Sequence, residues 1–213
     1  VAFLPIIEND PLSMADGHRV IPTASQQMLQ WKAQGLEVAV SVNIGARQLQ
    51  QDDFAQRLTQ LLARYPGVAP QLLELEILET SALEDMAQVF QAIQACQALG
   101  VRFALDDFGT GYSSLTHLRH LPAEVIKIDQ SFVRDMLEDA DDLAIVTGVI
   151  GLAAAFRREV IAEGVETTAH GLQLLALGCV MAQGYGIARP MPAADLPAWV
   201  ASWRPDVAWT VIQ

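Results

Sequence analysis

Six short β-like runs recur along this chain, and amphipathic segments of helical character separate them. Strands that alternate with helices of about 10–15 residues are typical of βα units and a parallel sheet. The sequence therefore predicts an α/β fold that occupies residues 1–213 as one domain. The β-like runs are Glu37–Asn43, Leu72–Ile77, Val101–Asp106, Val125–Asp129, Glu159–Glu163 and Val180–Gly186. The helical segments include Asp53–Tyr65, Ala82–Leu99, Leu143–Phe156 and Leu172–Leu177.

Composition excludes several classes of partner. The formal net charge is -12 over 213 residues, and polymeric nucleic acid or an anionic membrane would require a basic surface. No apolar run approaches the ~20 residues of a membrane span. Cys96 and Cys179 lack metal-ligand spacing and are expected to be free thiols in a reducing compartment. We expect a cytoplasmic domain, alone or as the cytoplasmic part of a membrane-anchored protein, without membrane contact of its own.

Polar residues occur near the carboxyl ends of five successive β-like runs. Alternate residues of a strand face opposite sides, so Leu73, Leu75 and Ile77 share one face, while Glu74 and Glu76 share the other. In βα barrels, active sites lie at the carboxyl ends of the strands. Any one polar residue there has a plain alternative as a solvated strand terminus, but five in succession favour a site. The five are Asn43, Glu76, Asp106, Lys127 and Glu163.

Two adjacent carboxylates, Asp106 and Asp107, end the third run, and a loop rich in glycine and hydroxyl groups follows them. Paired acids at a strand end repel each other unless a cation lies between them. Mg²⁺ and Mn²⁺ prefer such oxygen ligands. The alternative is that Asp107 only caps a turn.

Several motifs together resemble the EAL-domain phosphodiesterases of bacterial cyclic di-GMP signalling. They agree with that family in residue type and order up to Pro192. They are Ser41-Val42-Asn43, Glu76-Ile77-Leu78-Glu79-Thr80-Ser81, Asp106 to Ser114 (DDFGTGYSS), Lys127-Ile128-Asp129, Ala162 to Thr167 (AEGVET) and Gln183-Gly184-Tyr185.

The resemblance implies a modified (β/α)₈ barrel of the TIM type. Its first two strands would lie upstream of this chain, which begins near the segment Phe3–Glu8 that follows the family's Glu-Ala-Leu signature. We therefore expect an EAL domain that is incomplete at its N-terminus, with residues 194–213 forming a helix and a tryptophan-containing tail that packs on the barrel. Because the signature Glu is a metal ligand in the family, we also expect the isolated fragment to be impaired.

The resemblance further implies two Mg²⁺ or Mn²⁺ ions and hydrolysis of cyclic di-GMP to linear pGpG. One ion would be held by Asn43, Glu76 and Asp106, and the other by Asp106, Asp107 and Glu163. Hydrolysis of a phosphodiester with two ions suits this ligand set. Catalysis is assigned to Asp106, Asp107 and Glu163 together with Lys127.

The remaining assignments concern residues around the ions. Lys127 is assigned to the scissile phosphate or the attacking water, with neutralisation of Asp129 as its alternative. Glu79 is assigned to anchoring the loop after Asp107. Four residues are assigned to substrate contact or to support of the metal ligands: Arg47, Asp129, Glu166 and Gln183. Arg47 has an equal alternative as a helix-surface residue.

The resemblance also implies partners and alternatives. The loop and helix after Asp107 are expected to form a homodimer, and sensory or GGDEF domains are expected upstream. The alternative function is a catalytically inactive module that binds cyclic di-GMP or regulates. A third interpretation is an unrelated Mg²⁺-dependent βα-barrel enzyme, which explains the carboxylates but not the Phe108–Ser114 loop.

Overall fold

The computed structural model describes residues 11–82, 86–111 and 115–210. Within them, six strands form one sheet in the order β1-β2-β3-β4-β5-β6, and helices separate successive strands. The predicted α/β class is therefore confirmed. The strands are β1 (Val40–Asn43), β2 (Leu73–Leu78), β3 (Arg102–Phe108), β4 (Val125–Ile128), β5 (Glu159–Ala162) and β6 (Met181–Ala182).

The chain divides into two compact units. The first comprises residues 1–104 and 113–123, and the second comprises residues 105–112 and 124–213, so that β3 contributes to both. The helices of the first unit are α1 (Pro11–Ala33), α2 (Ala46–Leu49), α3 (Phe54–Arg64), α4 (Glu79–Ala82), α5 (Met86–Gln97) and α6 (Leu115–His120). Those of the second unit are α7 (Gln130–Asp135), α8 (Ala140–Ala155), α9 (Thr168–Ala176) and α10 (Leu196–Ser202).

In the first unit, β1 and β2 pair in parallel, with Asn43 opposite Glu76. The core of this unit is aliphatic and includes Leu73, Leu75 and Ile77, which are fully buried on the face that the alternation predicted. Glu74 and Glu76, on the other face, are also buried, at 6% exposed each. The polar face of β2 is therefore enclosed by protein, and its carboxylates need partners there.

Helix α1 is an element that the sequence reading missed. Gly17 and Pro22 within it are poor helix formers, which hid its pattern. The signal was present, since Ile21, Ser25, Met28 and Trp31 recur every three or four residues and are all buried. No helix in the described part of the chain is both long enough and apolar enough to cross a membrane.

In the second unit, β4 pairs with β5 and β5 with β6, both in parallel. The last strand is shorter than the predicted run Val180–Gly186. Beyond Ala182, the backbone N–H of Gln183 still donates to the carbonyl of Ala162 in β5 at 2.8 Å. The carbonyl of Gln183 accepts from the N–H of Val165, in the loop after β5, at 3.0 Å. In the C-terminal segment, α10 is followed by a tail with a 3₁₀ turn at Val207–Thr210.

The C-terminal tail contacts the first turn of α9. The indole Nε1 of Trp209 donates to the carbonyl of Thr168 at 2.9 Å, and the Thr168 hydroxyl donates to Asp206 at 2.8 Å. A Cβ at Gly171 would lie 2.3 Å from the indole nitrogen, so the ring rests directly on the glycine backbone. Part of the predicted tail, residues 211–213, lies outside the described residues.

Candidate metal centre

The carboxyl end of β3 brings Asp106 against the single lysine of β4. Lys127 Nζ donates to Asp106 Oδ1 at 2.9 Å and lies 2.6 Å from Glu163 Oε1, just after β5. The side chains of Lys127, Asp106 and Glu163 are 5%, 12% and 13% exposed, so water screens these contacts poorly. The side chain of Lys127 therefore joins two neighbouring strand ends through its ammonium group.

Asp107 turns out of β3 in an unusual backbone conformation. Its φ is +53°, in the left-handed region that aspartate and asparagine enter more readily than most residues. The hydroxyl of Thr110 donates to the Asp107 carbonyl at 2.8 Å and closes the turn. Gly109, with φ +104°, lies against the ring of Phe132, where an added Cβ would be 2.9 Å from Cε2. The motif's glycine thus permits a close approach to α7.

Glu163 is held from two sides. The amide of Gln183 donates from Nε2 to Glu163 Oε1 at 2.7 Å, and the backbone N–H of Glu163 donates to the Ile128 carbonyl at 3.2 Å. Behind it, a Cβ at Gly184 would lie 2.3 Å from the backbone nitrogen of Val165. The loop after β5 is therefore packed backbone to backbone against the Gln183–Gly186 segment.

Three carboxylates converge at these strand ends. Asp106, Asp107 and Glu163 each offer an oxygen, and the three oxygens lie within 4.8 Å of one another. Burial, followed by the charges of Asp106 and Asp129 and a hydrogen bond to Asp129, raises the pKa of Asp107 to about 7. Carboxylates crowded in this way repel each other, and a hard divalent cation relieves that repulsion.

Asp129 lies beside the cluster but serves α7. It is the N-cap of that helix, where its carboxylate accepts from the backbone N–H of Ser131 at 2.8 Å and from the Ser131 hydroxyl. Strand β4 ends at Ile128, so Asp129 does not continue the strand alternation on which its pairing with Lys127 was suggested. The contacts of Lys127 described above go to Asp106 and Glu163 instead.

The other predicted ligands lie in the first unit. Asn43 ends β1 and Glu76 is its register partner on β2, so these two strand-end residues are neighbours. Arg47 is exposed on α2, and Glu79 is 1% exposed at the start of α4. The roles assigned to these four residues stay predictions.

The remaining predicted residues occupy the second unit. Gln183 contacts Glu163 as described, while Glu166 is exposed in the loop after β5. The loop assigned to dimerisation is described only as far as Gly111, because residues 112–114 lie outside the described residues. The segment Phe3–Glu8 lies outside them as well.

The sequence did not reveal one residue at the end of the loop after β5. His170, in the first turn of α9, is 6% exposed and completes a capping box with Thr167. The signal was Thr167-x-x-His170, which has the spacing of a capping box but an unusual residue at its fourth position.

Comparison with known proteins decides the family. The sequence model of the EAL domain matches residues 1–190. The chain belongs to the EAL domain family. The predicted barrel class is confirmed by the same match and by solved EAL structures. The chain superposes on a cyclic di-GMP complex of the PaMucR phosphodiesterase with a TM-score of 0.85, at 37% identity, covering 92% of this chain and 79% of that one.

Other EAL proteins are similar to this chain over almost its whole length. The EAL domain of Mycobacterium smegmatis DcpA has a TM-score of 0.81 at 34% identity, covering 87% of this chain and 84% of that domain. The bifunctional diguanylate cyclase/cyclic di-GMP phosphodiesterase MucR of Pseudomonas aeruginosa is 38% identical over 93% of this chain and 29% of MucR.

The curated relatives are much longer than this chain. Cyclic di-GMP phosphodiesterase PA2567 of Pseudomonas aeruginosa is 36% identical over 93% of this chain and 34% of its own length. The oxygen sensor protein DosP of Escherichia coli is 33% identical over 95% of this chain and 25% of its own length. The chain therefore spans between a quarter and about a third of the curated relatives named here.

Proposed function

We propose that this EAL domain is a phosphodiesterase that hydrolyses cyclic di-GMP to linear pGpG and uses Mg²⁺ or Mn²⁺. The observation that carries the proposal is the convergence of Asp106, Asp107 and Glu163 around a single ammonium group, that of Lys127. Among the described residues, Lys127 is the cation placed against Asp106 and Glu163, and one positive charge does not balance three carboxylates, so the cluster favours a further cation. Similarity to MucR and PA2567, which are named as cyclic di-GMP phosphodiesterases, supports the choice of substrate.

The donors at the strand ends fit a hard divalent ion. Asp106, Asp107 and Glu163 would hold one ion through carboxylate oxygens, and the described residues around them include no histidine or cysteine ligand that would favour zinc. Asn43 and Glu76, which are register partners on β1 and β2, would be ligands of a second ion. Bound ions of this kind polarise a phosphate and lower the pKa of a coordinated water towards neutrality.

Residues of this chain orient the reacting groups. Lys127 keeps Asp106 and Glu163 in place, and its positive charge would stabilise the charge that develops on a phosphate oxygen. Gln183 donates to Glu163 Oε1 and so fixes the direction of that carboxylate. Such partners of metal ligands tune the affinity for the ion.

The proposal extends to the architecture around the domain. Because the curated relatives are three to four times as long as their matched part, we propose that this domain works in a longer signalling protein. The homodimer through the loop and helix after Asp107 is proposed as the way in which subunits associate. Analytical ultracentrifugation of the full-length protein tests that association.

Hydrolysis is tested by chromatography of cyclic di-GMP incubated with the full-length protein and Mg²⁺ or Mn²⁺. We expect pGpG to form, and the Asp106→Asn variant to lose turnover by about 10³-fold because a ligand charge is removed. Glu138→Gln, at an exposed position in the second unit, is the matched control and should turn over normally. Tight binding of cyclic di-GMP without any hydrolysis by the wild type would instead support a regulatory binding module.

A further inference from the structure

His170 connects two segments that follow neighbouring strands. Its ring Nδ1 lies 3.2 Å from the backbone nitrogen of Thr167 and 2.8 Å from the Thr167 hydroxyl. Its Nε2 lies 3.0 Å from the carbonyl oxygen of Arg134, close to the end of α7. The imidazole therefore spans from the end of the loop after β5 to the helix after β4.

These partners determine which ring nitrogen carries the hydrogen. The backbone N–H of Thr167 can only donate, so Nδ1 accepts, and the carbonyl of Arg134 can only accept, so Nε2 donates. A neutral ring with hydrogen on Nε2 satisfies both bonds. A glutamate or glutamine in an ordinary capping box has a backbone N–H as its partner, whereas His170 makes a second bond to another helix.

The loop that His170 holds also carries Glu163. Three residues separate Glu163 from Thr167, and the loop is anchored at its start by the bond from the Glu163 N–H to Ile128. Its middle is bonded to the Gln183–Gly186 segment through Val165. A Cβ at Gly164 would lie 2.8 Å from the Cβ of Gln130, the first residue of α7, so the loop also lies against that helix.

We propose that His170 is a positioning residue for the metal centre, and that its bond to Arg134 fixes the Glu163 loop relative to α7. Its effect on ion affinity rests on the proposed function, because it requires Glu163 to bind an ion. The positioning step is independent of that function. Without the bond to Arg134, the capping box and the contacts of Thr168 with the C-terminal tail remain, but the end of the loop loses its hydrogen bond to α7 and moves away from that helix more easily.

Three substitutions distinguish the two hydrogen bonds of His170: the cap, from the Thr167 N–H to Nδ1, and the bridge, from Nε2 to the Arg134 carbonyl. In His170→Asn, the side-chain oxygen takes the place of Nδ1, so the cap is kept while the bridge to Arg134 is lost. In His170→Gln, the amide oxygen can accept from the Thr167 N–H as in an ordinary capping box, and the amide nitrogen can donate to the Arg134 carbonyl, so both bonds can be kept. In His170→Leu, both bonds are lost.

Two measurements on the full-length protein test the proposal. The first is Mn²⁺ affinity by titration calorimetry, where we expect binding about tenfold weaker in His170→Leu and His170→Asn and near normal in His170→Gln. The second is amide hydrogen exchange over residues 164–167 in metal-free protein. We expect exchange there to be about tenfold faster in the Asn and Leu variants, because opening of the loop becomes easier.

The control is Val146→Ala, which removes buried volume from α8 in the same unit and lowers global stability. It should leave Mn²⁺ affinity unchanged. If the control weakens Mn²⁺ binding as much as His170→Leu does, or if His170→Asn matches the wild type in both measurements, the positioning role is wrong. A wild type that binds no Mn²⁺ would overturn the proposed metal centre, and the exchange measurement would still decide the role of His170.

Discussion

Buried carboxylates of this domain occur on or next to strands in both units, and their charges are neutralised to different degrees. In the first unit, Glu74 accepts a hydrogen bond from the Ser41 hydroxyl at 2.9 Å and forms an ion pair with Arg102, whose Nε lies 4.0 Å from the other carboxylate oxygen. In the second unit, Asp106 and Glu163 share the ammonium of Lys127, and Asp107 has a second carboxyl group, Asp129, as its hydrogen-bond partner.

The difference separates a structural carboxylate from a candidate ligand. A buried carboxylate whose charge and hydrogen bonds are matched, such as Glu74, needs nothing further. Carboxylates that outnumber their cations retain a net attraction for a positive ion. Burial alone therefore does not identify the site, since Glu74 is as buried as any of the proposed ligands. The balance of charge around each carboxylate does identify it.

The largest expected effect is a difference in turnover between variants of Lys127 and of Arg102, the cations that pair with the two groups of carboxylates. We expect Lys127→Met to lower turnover of cyclic di-GMP by about 100- to 1,000-fold, because the ammonium that stabilises developing phosphate charge is lost. We expect Arg102→Met to keep turnover within about threefold, because Arg102 pairs with the structural Glu74. Steady-state assays of both variants at saturating Mn²⁺ measure this contrast.

Circular dichroism and thermal unfolding of both variants serve as the control for folding. Equal turnover losses in the two variants would show that the Arg102–Glu74 pair supports catalysis and that the comparison is wrong. Near-normal turnover in Lys127→Met would assign that lysine to charge balance within the carboxylate cluster alone.

The second prediction concerns the backbone around each group. Glu74 lies within a strand, whereas Glu163 depends on a loop that is packed against Gly184. We expect Gly184→Ala to destabilise the protein by about 2–3 kcal/mol, since its Cβ would lie 2.3 Å from the Val165 backbone, which cannot yield as a side chain can. Gly148→Ala, in open space on α8, should instead stabilise by about 0.5–1 kcal/mol.

Denaturant unfolding of the two alanine variants gives both free energies. If Gly184→Ala is as stable as the wild type, the loop after β5 can separate from the Gln183–Gly186 segment. The tight anchoring of Glu163 described above would then be wrong.

Strand alternation made the sheet predictable. The six β-like runs all contain strands, because strongly apolar alternate residues mark a buried face whatever the tertiary context. Ends were less predictable: Val180–Gly186 shortens to Met181–Ala182, and the backbone of Gln183 bonds both to Ala162 in β5 and to Val165 in the loop after it. A sequence does not show which loop will pair with the backbone at a strand end.

The candidate site was predictable to a different extent. The positions of Asp106, Lys127 and Glu163 followed from strand phase, because neighbouring strands end at one edge. The partners of Lys127 did not, since Asp129 is nearer in sequence but leaves the strand to cap α7. His170 was missed because its role arises from a carbonyl 36 residues away, on another helix.

The third prediction compares how much Mn²⁺ stabilises the wild type and variants of Glu163 and Glu74. A ligand that binds only the folded state stabilises it by about 1.4 kcal/mol at a free concentration ten times its Kd. We expect Mn²⁺ to stabilise the wild type in this way and to have no such effect on Glu163→Gln. Glu74→Gln should lose stability in itself but keep the increment from Mn²⁺, because Glu74 lies in the structural group.

Thermal unfolding with and without Mn²⁺, with chelator as the zero point, measures these increments. Loss of the increment in Glu74→Gln would place that residue among the groups that support ion binding. A full increment in Glu163→Gln would remove Glu163 from the ligand set.

The last prediction concerns the pH dependence of the metal-free protein. The pKa of Asp107 is raised from 3.8 to about 7, so between these pH values the folded chain holds a proton that the unfolded chain releases. Stability falls with rising pH wherever the folded state binds more protons. This carboxyl therefore lowers the unfolding free energy progressively as pH rises through that window, and the loss is complete above about pH 7.

The variant Asp107→Asn tests this pH dependence. Asn also tolerates the left-handed backbone at this position, so Asp107→Asn should remove this part of the slope without strain, whereas Glu138→Gln should retain it. Urea unfolding in chelator from pH 5 to 8 tests this, and equal slopes in wild type and Asp107→Asn would show that Asp107 is already ionised across the range. If the slope is present, Mn²⁺ affinity should rise over the same range, because the ion requires Asp107 in its charged form.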